Sequence, residues 1–180
     1  MGYRRLFIMR KDLNMSAGKL AAQVAHCAEA YWTKLLIEHL SNVSIFSQHI
    51  DDNFNITREN EKAIINQMLI DKDIVDEYLK GEFTKTVCEA RNKTHLLKAK
   101  TMAEVLGLKE GEDFGLIYDA CHTELTPEEE DGTTLTGIWF KPLPDELAHK
   151  ISKKYQLYRG WNNGIKWKTK EWFDISTSKI

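Results

Sequence analysis

The sequence predicts an α/β fold with a largely parallel sheet and helices on its faces. Segments with the short apolar or alternating pattern of strands follow one another with helical segments between most of them. Parallel strands separated by helices are joined by right-handed crossovers, which place the helices on the faces of the sheet. The 180 residues are 42% hydrophobic and 29% charged, with both signs mixed, which is typical of one globular domain with a real core.

The first part of the chain predicts one strand and one long helix. Residues 4–10 run into an apolar stretch and are predicted as the first strand. A turn follows, and Ser16 is the predicted N-cap of a helix that continues to about Leu40. Residues 41–55 are polar and are predicted to be irregular.

The remaining helices and strands are predicted from the spacing of their apolar residues and from the residues that end each segment. Apolar residues at helical spacing predict a helix that starts near Thr57, and a helix that ends at Gly107. The full set of later predictions is a helix from 57, a short helix at 74–79, strands at 84–90, 113–118 and 134–140, and helices at 94–106 and 145–154.

Two parts of the chain do not fit the regular pattern of the core. We expect residues 1–158 to form the domain, with a helical insertion at about 41–83. Residues 159–180 form a Trp- and Lys-rich C-terminal extension that holds three of the five tryptophans. The extension either packs its aromatic side chains on the domain, or contacts RNA or another partner through stacking and charge.

Composition excludes several classes of protein. No apolar run approaches the ~20 residues of a membrane span, and the N-terminus lacks the pattern of a signal peptide, so we expect a cytoplasmic protein without a membrane partner. Cys27, Cys88 and Cys121 are odd in number and widely spaced, which argues against a disulfide framework or a zinc site. The net charge of -2 means that a nucleic-acid partner must be held by local basic patches.

The long helix carries polar residues at helical spacing among small apolar ones. One band holds Ser16, Lys19, Gln23, His26 and Ala30, and the opposite side, expected to pack on the sheet, holds Leu20, Ala21, Val24, Ala28 and Tyr31. A solvent-facing stripe is one interpretation of this pattern. The alternative is a binding site, because the helix begins at the carboxyl edge of the sheet, where open α/β folds bind ligands.

Charged groups are predicted to meet at that edge. Lys19 lies in the first turn of the helix, where the backbone N–H groups already attract anions, so its ammonium suits a phosphate or a developing oxyanion. If the third strand runs parallel to the first, it brings Asp119 to the same edge. A carboxylate, an ammonium, an amide and a hydroxyl together can support acid–base chemistry on a carbonyl.

Four stretches of the sequence resemble the motifs of type II peptidyl-tRNA hydrolases, in the same order. "MSAGKLAAQVAHCA" at 15–28 resembles the M-x-x-G-K-x-A-A-Q-x-x-H-A signature of that family. "YDACHTELTP" at 118–127 resembles its D-A-G-R-T-Q-x-x-P element, and "TLTGIWFKP" at 134–142 resembles the strand that follows. "DELAHKISKKYQLY" at 145–158 resembles the terminal helix and its L-K-L-Y ending.

The resemblance implies a cytoplasmic hydrolase that cleaves the ester between a peptide and the 3′ end of tRNA. It implies a single three-layer α/β/α domain with a four-stranded, mixed and mostly parallel sheet, no metal or organic cofactor, and often a homodimer. The matching positions imply catalytic roles for Lys19, Asp119 and Thr123, and substrate-binding roles for Gln23, His26 and, with a changed residue type, His122.

The chain departs from the family pattern in the loop after the third strand. Cys121, His122 and Glu124 stand where the family has glycine, a basic residue and glutamine, and an acidic run at 128–131 adds charge that repels phosphates. If the glycine position requires positive φ, Cys121 is strained there. Two other hypotheses stay open: a non-catalytic tRNA- or RNA-binding module on the same fold, and a Cys-dependent amidohydrolase that uses Cys121 with His26.

Overall fold

The computed structural model describes residues 2–46 and 70–159, with only the helical backbone described for 39–46. The described residues form three layers, with helices on both faces of a mixed sheet. This confirms the α/β class and the layered architecture that the sequence predicts. The strands are β1 (Tyr3–Arg10), β2 (Thr84–Ala90), β3 (Phe114–Asp119), β4 (Thr134–Phe140), β5 (Leu143–Pro144) and β6 (Gln156–Leu157).

The strand order fixes which ends of the strands share an edge. The main path is β3-β4-β1-β2-β6, and β5 pairs with β1. β1 and β2 are parallel, whereas the pairs β1–β4, β3–β4 and β2–β6 are antiparallel. Because two antiparallel steps separate β3 from β1, three of the four long strands run in the same direction. The last residues of β1, β2 and β3 therefore lie at one edge of the sheet.

The helices occupy the two faces of the sheet. They are α1 (Ala17–Phe46), α2 (Lys93–Val105) and α3 (Asp145–Ser152), and a π-helical turn spans Ile74–Leu79. Leu6 and Ile8 of β1 join the core that α2 and α3 cover. Phe7 and Met9 of the same strand join the core formed with α1 and the π-helical turn. The alternating apolar side chains of β1 thus connect both layers.

The structure differs from the prediction at the end of α1 and in two short strands. α1 continues to Phe46, so the prediction of an irregular segment from 41 is wrong for its first six residues. No Gly or Pro follows Gly18 in this stretch, and the polar residues lower helix propensity without stopping the helix. The two-residue strands β5 and β6 were not predicted, since a pair of residues carries no periodic signal.

Two predictions fall on residues that the structure does not describe. The helix expected from 57 belongs almost entirely to this part, as does the C-terminal extension after 159. Both therefore stay predictions, and the domain boundary at 158 stays one as well. In the described ranges, no helix combines the length and the hydropathy that crossing a membrane requires.

Candidate active site

The sheet and α1 bring the predicted polar residues together at one edge. Asp119 is the last residue of β3, and Lys19 and Gln23 lie in the first two turns of α1. β3 runs in the same direction as β1, so the short connection after β1 starts α1 at the edge where β3 ends. The topology therefore confirms the condition on which the convergence of Lys19 with Asp119 depends.

Asp119 is the centre of the cluster. Its Oδ2 accepts hydrogen bonds from Lys19 Nζ at 2.6 Å and from Gln23 Nε2 at 2.7 Å. Its Oδ1 accepts the backbone N–H of Cys121 at 2.9 Å. The Asp119 side chain is 8% exposed, so these three donors replace most of the water that a carboxylate normally binds.

Lys19 joins the carboxylate to the loop that follows β3. Its Nζ donates to Thr123 Oγ1 at 3.1 Å as well as to Asp119. An ammonium has three donors, and the contacts among the described residues use two of them. The Lys19 side chain is 14% exposed, so the third donor is available to a group that enters from solvent.

Thr136 on β4 fixes the orientation of Gln23. The Gln23 side chain is 1% exposed, and its Oε1 accepts a hydrogen bond from Thr136 Oγ1 at 2.7 Å. Because a carboxylate only accepts hydrogen bonds, the Gln23 amide nitrogen must face Asp119, and the Thr136 hydroxyl satisfies the oxygen on the other side. A chain of Thr136, Gln23 and Asp119 is the result.

A β-bulge aims Thr136 at this chain. Ile117 pairs with Gly137 and Tyr118 pairs with Leu135, so Thr136 is the extra residue on β4. Simple alternation would turn Thr136 to the same face as Ile138 and Phe140, away from α1. A bulge resets the alternation and re-aims one side chain, and it does so here at the candidate site. Alternation along β4 therefore does not predict Thr136 at the site.

The environment of Asp119 keeps its carboxylate ionised. Burial alone raises the pKa of Asp119, but the hydrogen bonds from Lys19 and from the Cys121 N–H outweigh burial. The charges of Lys19 and His26 act in the same direction, and the net result is a pKa below the ordinary value of 3.8. Asp119 is therefore a carboxylate near neutral pH, with Lys19 as its main counter-charge.

Ser16 and Glu124 join the start of α1 to the loop after β3. Ser16 Oγ accepts the backbone N–H of Lys19 at 3.2 Å, which confirms the predicted N-cap. The Glu124 carboxylate accepts the Ser16 backbone N–H and the Ser16 hydroxyl, each at 2.7 Å. These hydrogen bonds lower the pKa of Glu124. They hold the 120–124 loop beside the first turn of α1, where Thr123 meets Lys19.

Cys121 adopts the backbone conformation that glycine favours. Its φ is 57°, and its N–H reaches the Asp119 carboxylate because the chain turns there. The thiol lies 3.4 Å from the Asp119 carbonyl oxygen. The contacts that the structure gives for Cys121 are thus both with Asp119 rather than with a histidine. The expectation of positive φ at this position is confirmed.

The predicted stripe on α1 divides between the core and the surface. Gln23 is buried with Cys27 and Tyr31, whereas His26 is exposed. The expectation that Ala21 packs on the sheet is wrong, because Ala21 is exposed. Helix α1 is rotated so that Gln23 lies within its packing face, and the hydrogen bonds to Asp119 and Thr136 satisfy the buried amide.

The two histidines lie around the cluster rather than within it. His26 is close enough for its charge to affect the pKa of Asp119, but the structure gives it no hydrogen bond to Lys19 or Asp119. His122 is exposed and makes no hydrogen bond or ion pair with the described residues. Both side chains are therefore free to meet a ligand, and neither is needed to hold the carboxylate in place.

The acidic run at 128–131 is largely engaged by nearby groups. Glu128 forms an ion pair with Arg10, and Glu129 pairs with Lys93. Asp131 accepts hydrogen bonds from the backbone N–H and the hydroxyl of Thr133. The repulsion of phosphates that the sequence predicts is thereby reduced, because two of the four charges are neutralised by cations.

The fold and the site together indicate an α/β enzyme that acts on a carbonyl compound. A three-layer α/β domain places a carboxylate, an ammonium and a hydroxyl at one sheet edge, which is an arrangement suited to acid–base chemistry on a carbonyl compound.

Comparison with known families identifies the class more closely. The family model described as "Peptidyl-tRNA hydrolase PTH2" matches residues 3–158, so the chain belongs to the PTH2 family of peptidyl-tRNA hydrolases. This confirms the family that the sequence motifs resemble, and with it the hydrolysis of peptidyl-tRNA.

Archaeal relatives support the assignment over nearly their whole length. A peptidyl-tRNA hydrolase of Thermococcus onnurineus is 28% identical over 159 residues, which cover 86% of this chain and 97% of the relative. A peptidyl-tRNA hydrolase of Thermoplasma acidophilum is 25% identical over 154 residues, with the same coverage. One from Pyrobaculum aerophilum is 26% identical over 168 residues, covering 88% of this chain and the whole relative.

Proposed function

We propose that Lys19, Asp119 and Thr123 carry out the hydrolysis of the ester between the peptide and the tRNA. The observation that carries this proposal is the Lys19 ammonium, held by Asp119 at 2.6 Å and by Thr123 at 3.1 Å, with a third donor that the described residues do not use. A positioned cation of this kind stabilises the negative charge that develops on the ester carbonyl oxygen in the transition state.

Asp119 and Thr123 would act on the attacking water. Among the described residues, Oδ1 of Asp119 accepts the Cys121 N–H alone, and its remaining lone pair would bind a water and orient it towards the ester carbon. Since Lys19 donates to the Thr123 oxygen, the Thr123 hydroxyl proton is free to be donated to the water or to the leaving oxygen. Water adds to the carbonyl and the C–O bond to the ribose breaks, while the proton that the water loses passes to the Thr123 oxygen and the Thr123 hydroxyl gives its own proton to the ribose oxygen.

The lowered pKa of Asp119 limits its role as a base. A general base is most effective when its pKa lies near the working pH, and the carboxylate of Asp119 is stabilised well away from that range. Orientation of water and of Lys19 is therefore the larger part of what Asp119 contributes. Gln23 holds this carboxylate, whereas the exposed His26 and His122 are proposed to contact the substrate.

The proposed reaction does not require a metal ion. Asp119 Oδ2 already receives Lys19 and Gln23, so a cation at this oxygen would have to displace an ammonium. In the described ranges, no three His, Cys, Asp or Glu side chains come together in a group that could hold a metal ion. We accordingly expect that chelators leave the rate unchanged.

One assay separates this proposal from the two alternatives. Purified protein is incubated with N-acetyl-aminoacyl-tRNA, with and without EDTA, and before and after thiol alkylation. We expect release of the N-acetyl amino acid in every case. Binding of tRNA without release would favour the non-catalytic module, and loss of release on alkylation with binding retained would favour Cys121 as nucleophile.

Oligomeric state and location belong to the same proposal. The resemblance implies a homodimer, and exposed Leu36 and Ile37 on α1 are apolar groups that a second copy could cover. Light scattering coupled to size exclusion would test this, with a mass of two chains expected. We place the reaction in the cytoplasm, because tRNA charged with a peptide arises during translation there.

A further inference from the structure

Many cations of the described residues form ion pairs, but several exposed ones do not, and four of these come together. Arg10, Lys11 and Lys93, at the carboxyl edge of the sheet, pair with Glu128, Glu89 and Glu129 respectively. By contrast Arg91, Lys98, Lys153 and Lys154 are exposed and have no acidic partner in the part of the chain that the structure describes. These four residues are called the basic patch below.

Contacts between α2 and the segment before β6 bring the basic patch together. The His95 ring stacks on the Tyr155 ring with centroids 4.5 Å apart, and Tyr155 OH donates to the His95 carbonyl oxygen at 2.8 Å. His95 also accepts the backbone N–H of Arg91 on its Nδ1 at 3.2 Å. Lys153 and Lys154 precede Tyr155 directly, so their backbone lies next to the first turns of α2.

The electrostatics of His95 agree with this clustering. Burial and the positive charges of Arg91 and Lys98 lower the pKa of His95. Both cations thus act on one imidazole, and the acidic residues named above are occupied elsewhere. In a chain with a net charge of -2, an uncompensated cluster of this kind is a local positive field.

The basic patch lies at the same edge of the sheet as the candidate site. Arg91 follows the last residue of β2, and Asp119 is the last residue of β3. Three strand spacings separate β2 from β3 in the sheet order, which corresponds to about 14 Å. An RNA whose 3′ end reaches Asp119 can therefore pass over this edge and meet the patch.

We propose that the basic patch binds backbone phosphates of the tRNA and holds the RNA while its 3′ end lies in the site. The inference rests on the proposed function only in taking peptidyl-tRNA as the RNA. Exposed lysines and arginines that are not paired release phosphate counterions on binding, so their contribution is strongly salt-dependent.

The test compares two pairs of lysines. The variant Lys153→Ala/Lys154→Ala removes half of the patch, and the control Lys80→Ala/Lys109→Ala removes the same charge from the segments that precede β2 and β3, at the opposite edge. Affinity for uncharged tRNA is measured by fluorescence anisotropy over a range of salt concentrations. We expect the patch variant to raise Kd roughly 10-fold at low salt and to reduce the salt slope by about one unit per lysine. The control should behave as wild type.

A second variant and a second substrate complete the test. The variant Arg91→Gln/Lys98→Gln removes the two cations of the patch that lie in or just before α2. It should give the same loss of tRNA affinity, which would show that the effect is not confined to the segment with Lys153 and Lys154. N-acetyl-aminoacyl-adenosine lacks the RNA stem, so the patch variants should hydrolyse it at the wild-type rate while KM for N-acetyl-aminoacyl-tRNA rises.

The results distinguish failure of the patch from failure of the chemistry. Unchanged tRNA affinity in both patch variants, or an equal loss in the control, would overturn the proposal even if hydrolysis is normal. Absence of hydrolysis in the wild-type protein would contradict the proposed function, whereas the binding comparison would still decide whether the patch holds tRNA.

Discussion

The candidate site and the basic patch lie at the same edge of the sheet but are built in different ways. At the site, Lys19 is nearly buried and its charge is balanced by Asp119. In the patch, the cations are exposed and lack partners among the described residues. A balanced, buried pair holds a fixed geometry and adds little long-range attraction, whereas unpaired surface cations attract a polyanion without fixing its position.

The contrast assigns different steps of the reaction to the two regions. Changes at the site should alter the rate constant of hydrolysis with little effect on the salt dependence of binding. Changes in the patch should alter binding and its salt dependence, with the rate constant of the bound substrate unchanged. The following variants either strengthen this division or contradict it, beginning with the largest expected effect.

Removing either member of the central pair should abolish most of the activity. We expect Lys19→Ala and Asp119→Asn each to lower kcat at least ~100-fold, the scale for the loss of one positioned group in the transition state. Single-turnover release from N-acetyl-aminoacyl-tRNA measures this. Affinity for uncharged tRNA should change much less.

Another lysine–carboxylate pair provides the control for these variants. Lys11 and Glu89 form an ion pair of 2.8 Å at the same edge, outside the site. Lys11→Ala should therefore keep kcat within about 2-fold of wild type, since neither Lys11 nor Glu89 contacts Lys19, Asp119 or Thr123. A 100-fold loss in Lys11→Ala would mean that any charge at this edge affects the rate. Thermal melting of each variant separates loss of chemistry from loss of fold.

The hydroxyl of Thr136 should matter through Gln23 rather than through the substrate. Thr136→Val leaves the Gln23 oxygen without its donor, and we expect about a 10-fold loss of kcat with KM unchanged, as the carboxylate loses its fixed position. Stability should fall by about 1–3 kcal/mol, because a buried acceptor is left unsatisfied. Thr136→Ser keeps the hydroxyl and should recover most of the activity. Failure of Thr136→Ser to recover it would point to packing of the methyl group instead.

Part of the fold and part of the site can be predicted from the sequence alone. The strands at 84–90 and 134–140 match their predicted ends, because each is a short alternating or apolar run bounded by turn residues. Lys19, Asp119 and Thr123 come together as expected, since strand order and direction determine which ends meet.

The missed features depend on tertiary contacts that leave no local pattern. The bulge at Thr136 is a single residue of register, set by how β4 pairs with β3. The burial of Gln23 depends on how α1 is rotated against the sheet. The apolar residues alone predict a rotation that would bury Ala21, which is exposed in the structure. The patch joins residues about 60 positions apart, and the stack and the hydrogen bond between His95 and Tyr155 bring them together.

The pH dependence tests whether Asp119 orients or accepts a proton. The pKa of Asp119 is lower in the folded protein than the ordinary 3.8, so its ionised form stabilises the fold above that value. This contribution is lost as the pH falls through the folded pKa, below about 4. The melting difference between wild type and Asp119→Asn should thus stay constant from about pH 5 to 8 and shrink below about 4.

The rate should follow the same rule. Titration of Asp119 should give no loss of kcat between about pH 5 and 8, because the carboxylate is ionised throughout. An acidic limb near neutral pH that disappears from the residual activity of Asp119→Asn would show that Asp119 is the base and that its orienting role is wrong.

The smallest expected effect concerns Cys121, which separates backbone geometry from thiol chemistry within the site. Its φ of 57° is unfavourable for a residue with a side chain, and glycine should relieve a strain of about 1 kcal/mol, partly offset by the greater freedom of glycine in the unfolded chain. Cys121→Gly should therefore raise the melting temperature slightly and leave both kcat and the salt slope of binding unchanged. Cys121→Ala keeps the strain but removes the thiol, so it should match wild type in rate and in stability within about 0.5 kcal/mol. A large loss of kcat in both variants would assign the chemistry to the thiol. A loss of kcat in Cys121→Gly alone would mean that a side chain at residue 121 is needed to hold its N–H on Asp119. The position of the Asp119 carboxylate would then depend on the conformation of the 120–124 loop more than on α1.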